Sequence, residues 1–300
     1  MEHYIITEKC STLRKLGREA LRGRWKLAVC TLLVYSAAIY IPTMLLSELF
    51  KSAPWISSIY SLLVSGPFSL GYSIFALSLF RNNDPKIGQI FYGFEKFGKS
   101  LGLLLLIALF IFLWYLLIIP GILLAVLSPF FIPFIVLFMV PMFMAIIRYS
   151  QAFYILADNP ATGLLDCIKK SKMLMAGNKL KYFFLYLSFI GWFILASIPP
   201  AVLIAVNFPA ADFMQGDMQM YEELAALQGY SFSIGFMFAL LIACVGFVLI
   251  QAYIMAALTA FYEMVSGNLR PGYITASAEI VEEHENTKEN ENPKEYENIE

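Results

Sequence analysis

Charge is scarce in this chain. Of its 300 residues, 14% are Asp, Glu, Lys or Arg and 59% are hydrophobic, whereas a soluble domain averages about 25% charged and about 45–50% apolar. A water-soluble fold of this length cannot cover so much apolar surface with so few charges, and the mean hydropathy of +0.69 agrees. Lipid is therefore the expected solvent for most of the chain. Histidine is rare as well, and His3 and His284 both lie in the polar ends. Cys10, Cys30, Cys167 and Cys244 have no paired spacing, which leaves no metal or redox motif. We read them as thiols shielded by lipid or protein. A phosphate-cradling glycine loop is missing too: Gly66, Gly71 and Gly88 stand alone, and Gly98 with Gly102 is a weak pair. No cofactor, metal or nucleic-acid partner is implied. Nor is a cleavable signal peptide apparent, because residues 1–26 are largely charged and polar and the run that follows is as long as a span.

What is present is a series of charge-free stretches: 27–47, 52–80, 100–147, 182–211 and 224–262. A helix crosses the hydrocarbon in about 20 residues, so all but one of these hold a single crossing. The stretch 100–147 is too long for one, and Lys99 and Arg148 at its ends require an even number if they share a side. Two fit. The natural break is Pro120-Gly121, since proline lacks a ladder N–H and glycine ends helices readily. Ser128-Pro129 is a second candidate, and part of 121–133 as a re-entrant or kinked segment is the alternative. The expected architecture is all-α: a polytopic transmembrane bundle of about six spans in three hairpins, near 27–47, 56–80, 100–120, 130–157, 181–206 and 232–262. The spans are expected to be free of ionisable groups. Residues 1–26 form a basic amphipathic segment, 27–265 the membrane domain, and 266–300 a disordered acidic tail, with nine glutamates from Glu279 onward.

Lysine and arginine fall on one side of this threading. Seven lie between Lys9 and Lys26, four in 81–99 and six in 148–181, while the opposite loops hold only Lys51. The positive-inside rule then places both ends in the cytoplasm of a multi-pass protein. Trp25 and Trp55 fall at helix ends, as interfacial aromatics do.

An internal repeat is visible: a basic amphipathic helix, a span, an outer turn and a returning span. Arg81-Asn82-Asn83-Asp84-Pro85 and Gly88 precede the second such unit, and Asp158-Asn159-Pro160 and Gly163 precede the third. Asp84 and Asn159 are candidate helix N-caps, with Pro85 and Pro160 at the first helical position. In the second unit Ile87, Ile90, Phe91, Phe94 and Phe97 recur at helical spacing. In the N-terminal unit Leu13, Leu16 and Ala20 share one side, while Arg14, Arg18 and Arg22 stack at i, i+4 on another. Such helices should lie in the headgroup plane. Candidate contacts for anionic lipid headgroups are Arg14, Arg18, Arg22, Lys99 and Lys179, each near an anionic surface contributing ~1 kcal/mol.

Few polar residues enter the spans. Gln151 and Gln251 each precede an aromatic cluster, and such amides usually bond to neighbouring helices because hydrocarbon offers no other partner; the functional alternative is a solute path lined by both. Ser57, Ser61, Ser65, Ser69 and Ser73 recur every fourth residue. We read Ser61, Ser65 and Ser69 as packing contacts that let helices approach, with a polar pore wall as the alternative.

Several segments carry a family resemblance: 94–99, 118–122, 148–160 (Arg148-Tyr149-Ser150-Gln151-Ala152-Phe153-Tyr154 and onward), 185–192 and 260–263. In this order they resemble a group of uncharacterised bacterial integral-membrane proteins catalogued as domain of unknown function 975, over roughly residues 11–265. The chain departs from that pattern where residues 123–146 stand between the Pro120-Gly121 turn and the tyrosine-rich helix. The resemblance implies no activity. The reading that follows is a non-enzymatic scaffold or accessory component of the bacterial cytoplasmic membrane, in contact with anionic headgroups and a protein partner. Its alternatives are a permease or lipid-handling channel for a neutral or amphiphilic solute, and a membrane-bound lipid enzyme using Asp84, Asp158 or Asp166. Accessibility mapping with tags at both ends should find the two on the cytoplasmic face; opposite faces would rule out an even number of crossings.

Overall fold

The computed structural model describes residues 4–116, 118–128, 130, 132–207 and 234–269. Every regular element among them is helical: α1 (Cys10–Leu21), α2 (Trp25–Leu49), α3 (Trp55–Phe80), a 3-10 helix (Ile87–Lys96), α4 (Phe97–Leu116), α5 (Ile118–Leu127), α6 (Ile132–Tyr149), α7 (Ala152–Asp158), α8 (Leu164–Leu174), α9 (Lys179–Leu187), α10 (Ile190–Asn207) and α11 (Ile234–Val265). Six stretches are long and apolar enough to cross a membrane: Trp25–Leu49, Trp55–Phe80, Ile87–Leu124, Met139–Asp158, Lys179–Val202 and Met237–Val265. Their outer faces expose large apolar side chains such as Met44, Leu109, Phe238 and Leu241. A surface of that kind is stable in lipid and not in water. The chain is a multi-pass membrane protein.

The helix break inside the long third stretch lies later than Pro120-Gly121. Both residues are helical within α5, which runs on to Leu127, and α6 starts at Ile132. The helix thus continues past Pro120-Gly121 to Leu127 and the next one opens at Ile132, on either side of the second candidate, Ser128-Pro129. Pro120 lies in the first turn of α5, where a missing N–H costs no ladder bond, so the helix runs on through it. The inserted residues 123–146 supply the end of α5, this connection and most of α6. Nor are the spans free of ionisable groups: Arg148 and Asp158 fall in the fourth and Glu263 in the sixth, and Lys26, Glu48, Glu95, Lys96, Lys99, Lys179 and Lys181 lie toward the ends of others. The connection between the fifth and sixth spans, with Asp212, Asp217, Glu222 and Glu223, and the tail from 270 onward lie outside the described residues.

Helix α3 is the centre of the bundle, touching α2, α4, α7, α11 and the 3-10 helix. Over half of its span is buried, against at most a third for the others. In lipid there is little hydrophobic drive between helices, so close backbone approach and hydrogen bonds must hold them together. Glycine provides the approach. A Cβ on Gly71 would overlap the Ile90 carbonyl, and one on Gly93 the Pro67 carbonyl, so α3 and the 3-10 helix meet backbone to backbone. Gly17 of α1 likewise sits against the backbone of Ala256 and Ala257 in α11.

Backbone polarity is handled locally. Pro42 inside α2 leaves the Ala38 carbonyl without its helical N–H, and Tyr60 of α3 donates its hydroxyl to that oxygen at 2.9 Å. The hydroxyls of Thr43 and Ser61 pair across the same two helices at 2.9 Å. Helix α11 ends in a left-handed turn: Gly267 has φ +76°, its N–H meets the Met264 carbonyl, and the Asn268 N–H reaches the Glu263 carbonyl. Residues 266–269 are thus held against the end of α11. At the other end of the chain, Tyr4 N–H reaches the Val265 carbonyl, so both described ends meet on one side of the bundle, here termed the basic end.

Gly93→Ala should push the 3-10 helix off α3 at a cost of about 1–3 kcal/mol, as overpacking does. Gly88→Ala, where nothing lies within 4 Å of an added Cβ, is the matched control. Thermal unfolding in detergent should separate the two; equal midpoints would show that this backbone contact carries no stability.

A candidate functional site at the basic end

The returning helices α3, α7 and α11 all finish at the basic end, and each brings one charge with it. Arg81 follows α3 directly, Asp158 closes α7, and Glu263 sits in the last turn of α11. The Arg81 guanidinium joins the other two: its Nη1 is 2.6 Å from Asp158 Oδ1, and its Nη2 is 2.7 Å from Glu263 Oε1. Its Nε also donates to Glu263 Oε1, at 2.7 Å. The remaining lone pairs are used as well. Tyr262 donates its hydroxyl to Asp158 Oδ2 at 3.2 Å, and the Asn268 amide donates to Glu263 Oε2 at 2.9 Å. Tyr262 in turn stacks on Tyr154 with centroids 5.2 Å apart, which ties α11 to α7.

Burial grades the node. The Glu263 side chain is 4% exposed, Asp158 17% and Arg81 32%. A cavity of about 680 Å3 opens above it, lined by Phe80, Arg81, Asn82, Asp158, Glu263, Asn268 and Leu269. Burial works against the charge on Arg81, but the hydrogen bond to Asp158 and the fields of both carboxylates outweigh it, so its pKa is raised. The arrangement fixes three hairpins to one guanidinium.

The candidate residues fall in several places. Asp84 is not an N-cap. It takes a left-handed φ of +43° and pairs with Lys86 at 2.7 Å, while Lys86 itself precedes the 3-10 helix. Pro85 accordingly lies in the connection and not at a first helical position. Asn159 is not an N-cap either: it ends α7, and its Oδ1 accepts the Ala161 N–H at 3.1 Å. Helix α8 starts only at Leu164, behind Gly163, so Pro160 sits in the turn. Short polar side chains serve turns as readily as helix starts, and here the turn wins. The Pro160 carbonyl accepts Lys99 Nζ at 2.7 Å, so Lys99 stitches α4 to this turn.

The two glutamines are not a pair. Gln151 is buried at the break between α6 and α7, where its Nε2 bonds Ser150 Oγ at 2.8 Å and its Oε1 has no hydrogen-bond partner. Gln251 is exposed on α11. The inward stripe of α11 is Ala252, Ala256, Thr259 and Glu263, and ~100° of helical rotation per residue carries position 251 off it. Neither amide bonds to a neighbouring helix. The serine row turns mostly to its own backbone: Ser57, Ser61, Ser65 and Ser73 donate to Pro54, Ser57, Leu62 and Ser69 carbonyls. Ser61 adds a bond to Thr43 of α2, and Ser69 one to Tyr35 of the same helix. This favours the packing reading over a polar wall.

The amphipathic segments also sit differently. Leu13, Gly17 and Leu21 of α1 are buried in protein, chiefly against α11, and Ile90 of the 3-10 helix is buried against α3. The buried face of α1 is thus covered by the bundle, whereas the 3-10 helix buries Ile90 and Gly93 against α3 and leaves Phe91, Phe94 and Phe97 exposed on its outer side. Arg14 reaches the Ser188 carbonyl at 3.5 Å, Arg18 the Tyr253 hydroxyl at 3.4 Å, Arg22 is exposed, and Lys179 opens α9 half-buried. Three residues that matter escaped the sequence reading as a site. Arg81 and Glu263 were each a lone charge directly behind a long apolar run, which was the available signal. Asn178 is the third: fully buried, it accepts the Ile6 N–H at 2.9 Å and donates to the Tyr4 carbonyl at 2.8 Å.

With this geometry in hand, comparison with known proteins is informative on one point. The family described as protein of unknown function (DUF975) matches residues 7–269. The chain belongs to that family. No curated protein and no solved structure matches it. The DUF975 match includes α1 and ends at Leu269, so the whole ionic node lies inside it. Elsewhere, no group of three His, Cys, Asp or Glu side chains is gathered as a metal site among the described residues. Burial pushes the Cys167 thiol up, with Lys170 opposing, which keeps it in the unreactive form.

Arg81→Met should cost up to about 3 kcal/mol, because it leaves the buried Glu263 carboxylate and the partly buried Asp158 without their cation. Adding Glu263→Gln should recover part of that loss, and Arg81→Lys should fall between, having charge without the fork. Lys86→Met, at an exposed pair, should leave stability unchanged. Detergent melting midpoints check the series; an unaffected Arg81→Met would show that the node is ornamental to the fold.

Proposed function

We propose that this DUF975 protein is a non-enzymatic component of the bacterial cytoplasmic membrane that organises or assists other membrane components, with both ends in the cytoplasm. The observation that carries this reading is the ionic node. Arg81, Asp158 and Glu263 spend their charges and lone pairs on one another, on Tyr262 and on Asn268. That is how a lock is built; a general acid or base needs a free hydrogen-bonding direction toward a substrate.

The enzymatic alternative receives little support from the three aspartates named for it. Asp84 pairs with Lys86, Asp158 with Arg81, and Asp166 lies 3.8 Å from Lys169. Each has its own cation, and none shares a partner with another. The cytoplasmic placement of the ends is supported by the count of basic residues and by the meeting of Tyr4 with Val265 on one side. The protein-facing side of this reading is the outward charge of α1 and α8: Lys15, Arg22, Lys169 and Lys172 are exposed and project away from the buried faces.

Crosslinking in native membranes should capture one or a few specific proteins, and reversing charge at Lys15 and Arg22 should abolish capture without changing the melting midpoint. Purified protein in proteoliposomes should turn over neither lipid nor solute. Turnover that disappears in Asp158→Ala, in a variant that still folds, would replace this reading with the enzymatic one.

A further inference from the structure

Between α10 and α11 a groove of about 630 Å3 opens on the outer surface of the bundle. Its walls include Leu195, Pro199, Ile242 and Leu249, and its mouth is formed by Arg18, Trp25 and Tyr253. The helices come close at its floor, where a Cβ on Gly246 would lie 3.0 Å from the Ala196 Cβ. The groove is therefore greasy along its length and cationic at one end.

Arg18 is what sets the mouth apart. Its guanidinium touches only Tyr253, at 3.4 Å from the hydroxyl and 6.0 Å from the ring centroid. Among the described residues no carboxylate pairs with it, unlike Arg81. Trp25 packs edge-on to the same Tyr253, with centroids 6.2 Å apart, so two amphipathic aromatics, of the kind enriched at membrane interfaces, stand beside the cation. Tyr253 lies eleven positions beyond Ile242, and at 1.5 Å per step the two are about 16 Å apart along the helix. That is about one leaflet of a hydrocarbon core ~30 Å thick.

A groove that is apolar over about the length of one leaflet and ends in a guanidinium with no carboxylate partner has the chemistry of a phospholipid turned inside out. Arginine binds phosphate oxygens through its planar fork. A zwitterionic head would bring its own ammonium into the field of Arg14, Lys15, Arg18 and Arg22, opposed locally only by Glu19. An anionic head meets no such repulsion. We propose that the groove between α10 and α11 binds an anionic phospholipid, its acyl chain along Leu195, Ile242 and Leu249 and its headgroup on Arg18. The proposal does not rest on the organising role put forward above, because lipid retention needs no protein partner.

The lining residues supply the reporter. Of the four tryptophans, Trp25 and Trp192 line the groove, so the Trp55→Phe, Trp114→Phe protein fluoresces from the site alone. In mixed micelles, brominated phosphatidylglycerol should quench this signal at about fivefold lower mole fraction than brominated phosphatidylcholine, the ratio expected for one basic residue at an anionic surface. Arg18→Gln should erase the preference while leaving circular dichroism and elution volume unchanged. Arg22→Gln, which lies outside the groove, should keep it. Equal quenching by the two lipids in the protein with Arg18 intact overturns the proposal whether or not any variant folds, and so does a preference that survives Arg18→Gln. Phosphatidylglycerol retained through exchange into detergent, and lost from Arg18→Gln, would confirm it by an independent measurement.

Discussion

One guanidinium facing two carboxylates decides how this bundle closes. Arg81, Asp158 and Glu263 come from the ends of three different hairpins, and none of them tolerates the apolar surroundings without the others. The desolvation cost of a buried charge is several kcal/mol and is recovered only when geometry is good and the remaining lone pairs are used. Here they are used: Tyr262 and Asn268 take the outer oxygens of the two acids. Apolar contacts would let α3, α7 and α11 slide or rotate against one another. The node permits one register.

The same scarcity of driving force explains the glycines and hydroxyls around α3. Helices already in lipid gain little from burying apolar faces against each other. Stability must then come from contacts that lipid cannot imitate: backbone against backbone at Gly71 and Gly93, and a Tyr60 hydroxyl supplied to the carbonyl that Pro42 leaves open. The buried Asn178 does similar work at the chain's beginning, binding the backbone of Tyr4 and Ile6. The first residues are thereby tied to the turn before α9, and α1 is held in place to cover α11.

Much of the architecture was legible because composition and length are strong signals in a membrane chain. Runs such as 27–47 and 52–80 leave a helix crossing as the only way to satisfy the backbone in hydrocarbon. Local chemistry was less legible. Asp84-Pro85 and Asn159-Pro160 carry the residue types of a helix start, yet the same types serve turns, and nothing in a dipeptide decides between them. Pro120-Gly121 has the composition of a break but lies inside α5. The node itself was hidden for a different reason. Its members are 77 and 182 residues apart in the chain, and no local pattern links a charge behind one apolar run to charges behind two others.

The amphipathic segments connect these points to the membrane. Their apolar faces were expected on lipid; in the second segment Phe91, Phe94 and Phe97 are indeed exposed beside a buried Ile90, but in α1 Leu13, Gly17 and Leu21 are buried in protein. An interfacial helix held only by its greasy face can leave the bilayer or rotate in it. A helix whose greasy face is locked to α11 cannot, so its cations keep fixed positions relative to the spans. Fixed cations are able to recognise, whereas mobile ones only attract. Arg14 and Arg18 lie four residues apart on α1 and both reach toward the third hairpin, one to Ser188 and the other to Tyr253. Anchoring α1 by Gly17 against Ala256 and Ala257 therefore does more than set topology: it holds a charge at a defined depth above a defined apolar groove, which is the requirement for choosing among lipids by their headgroups.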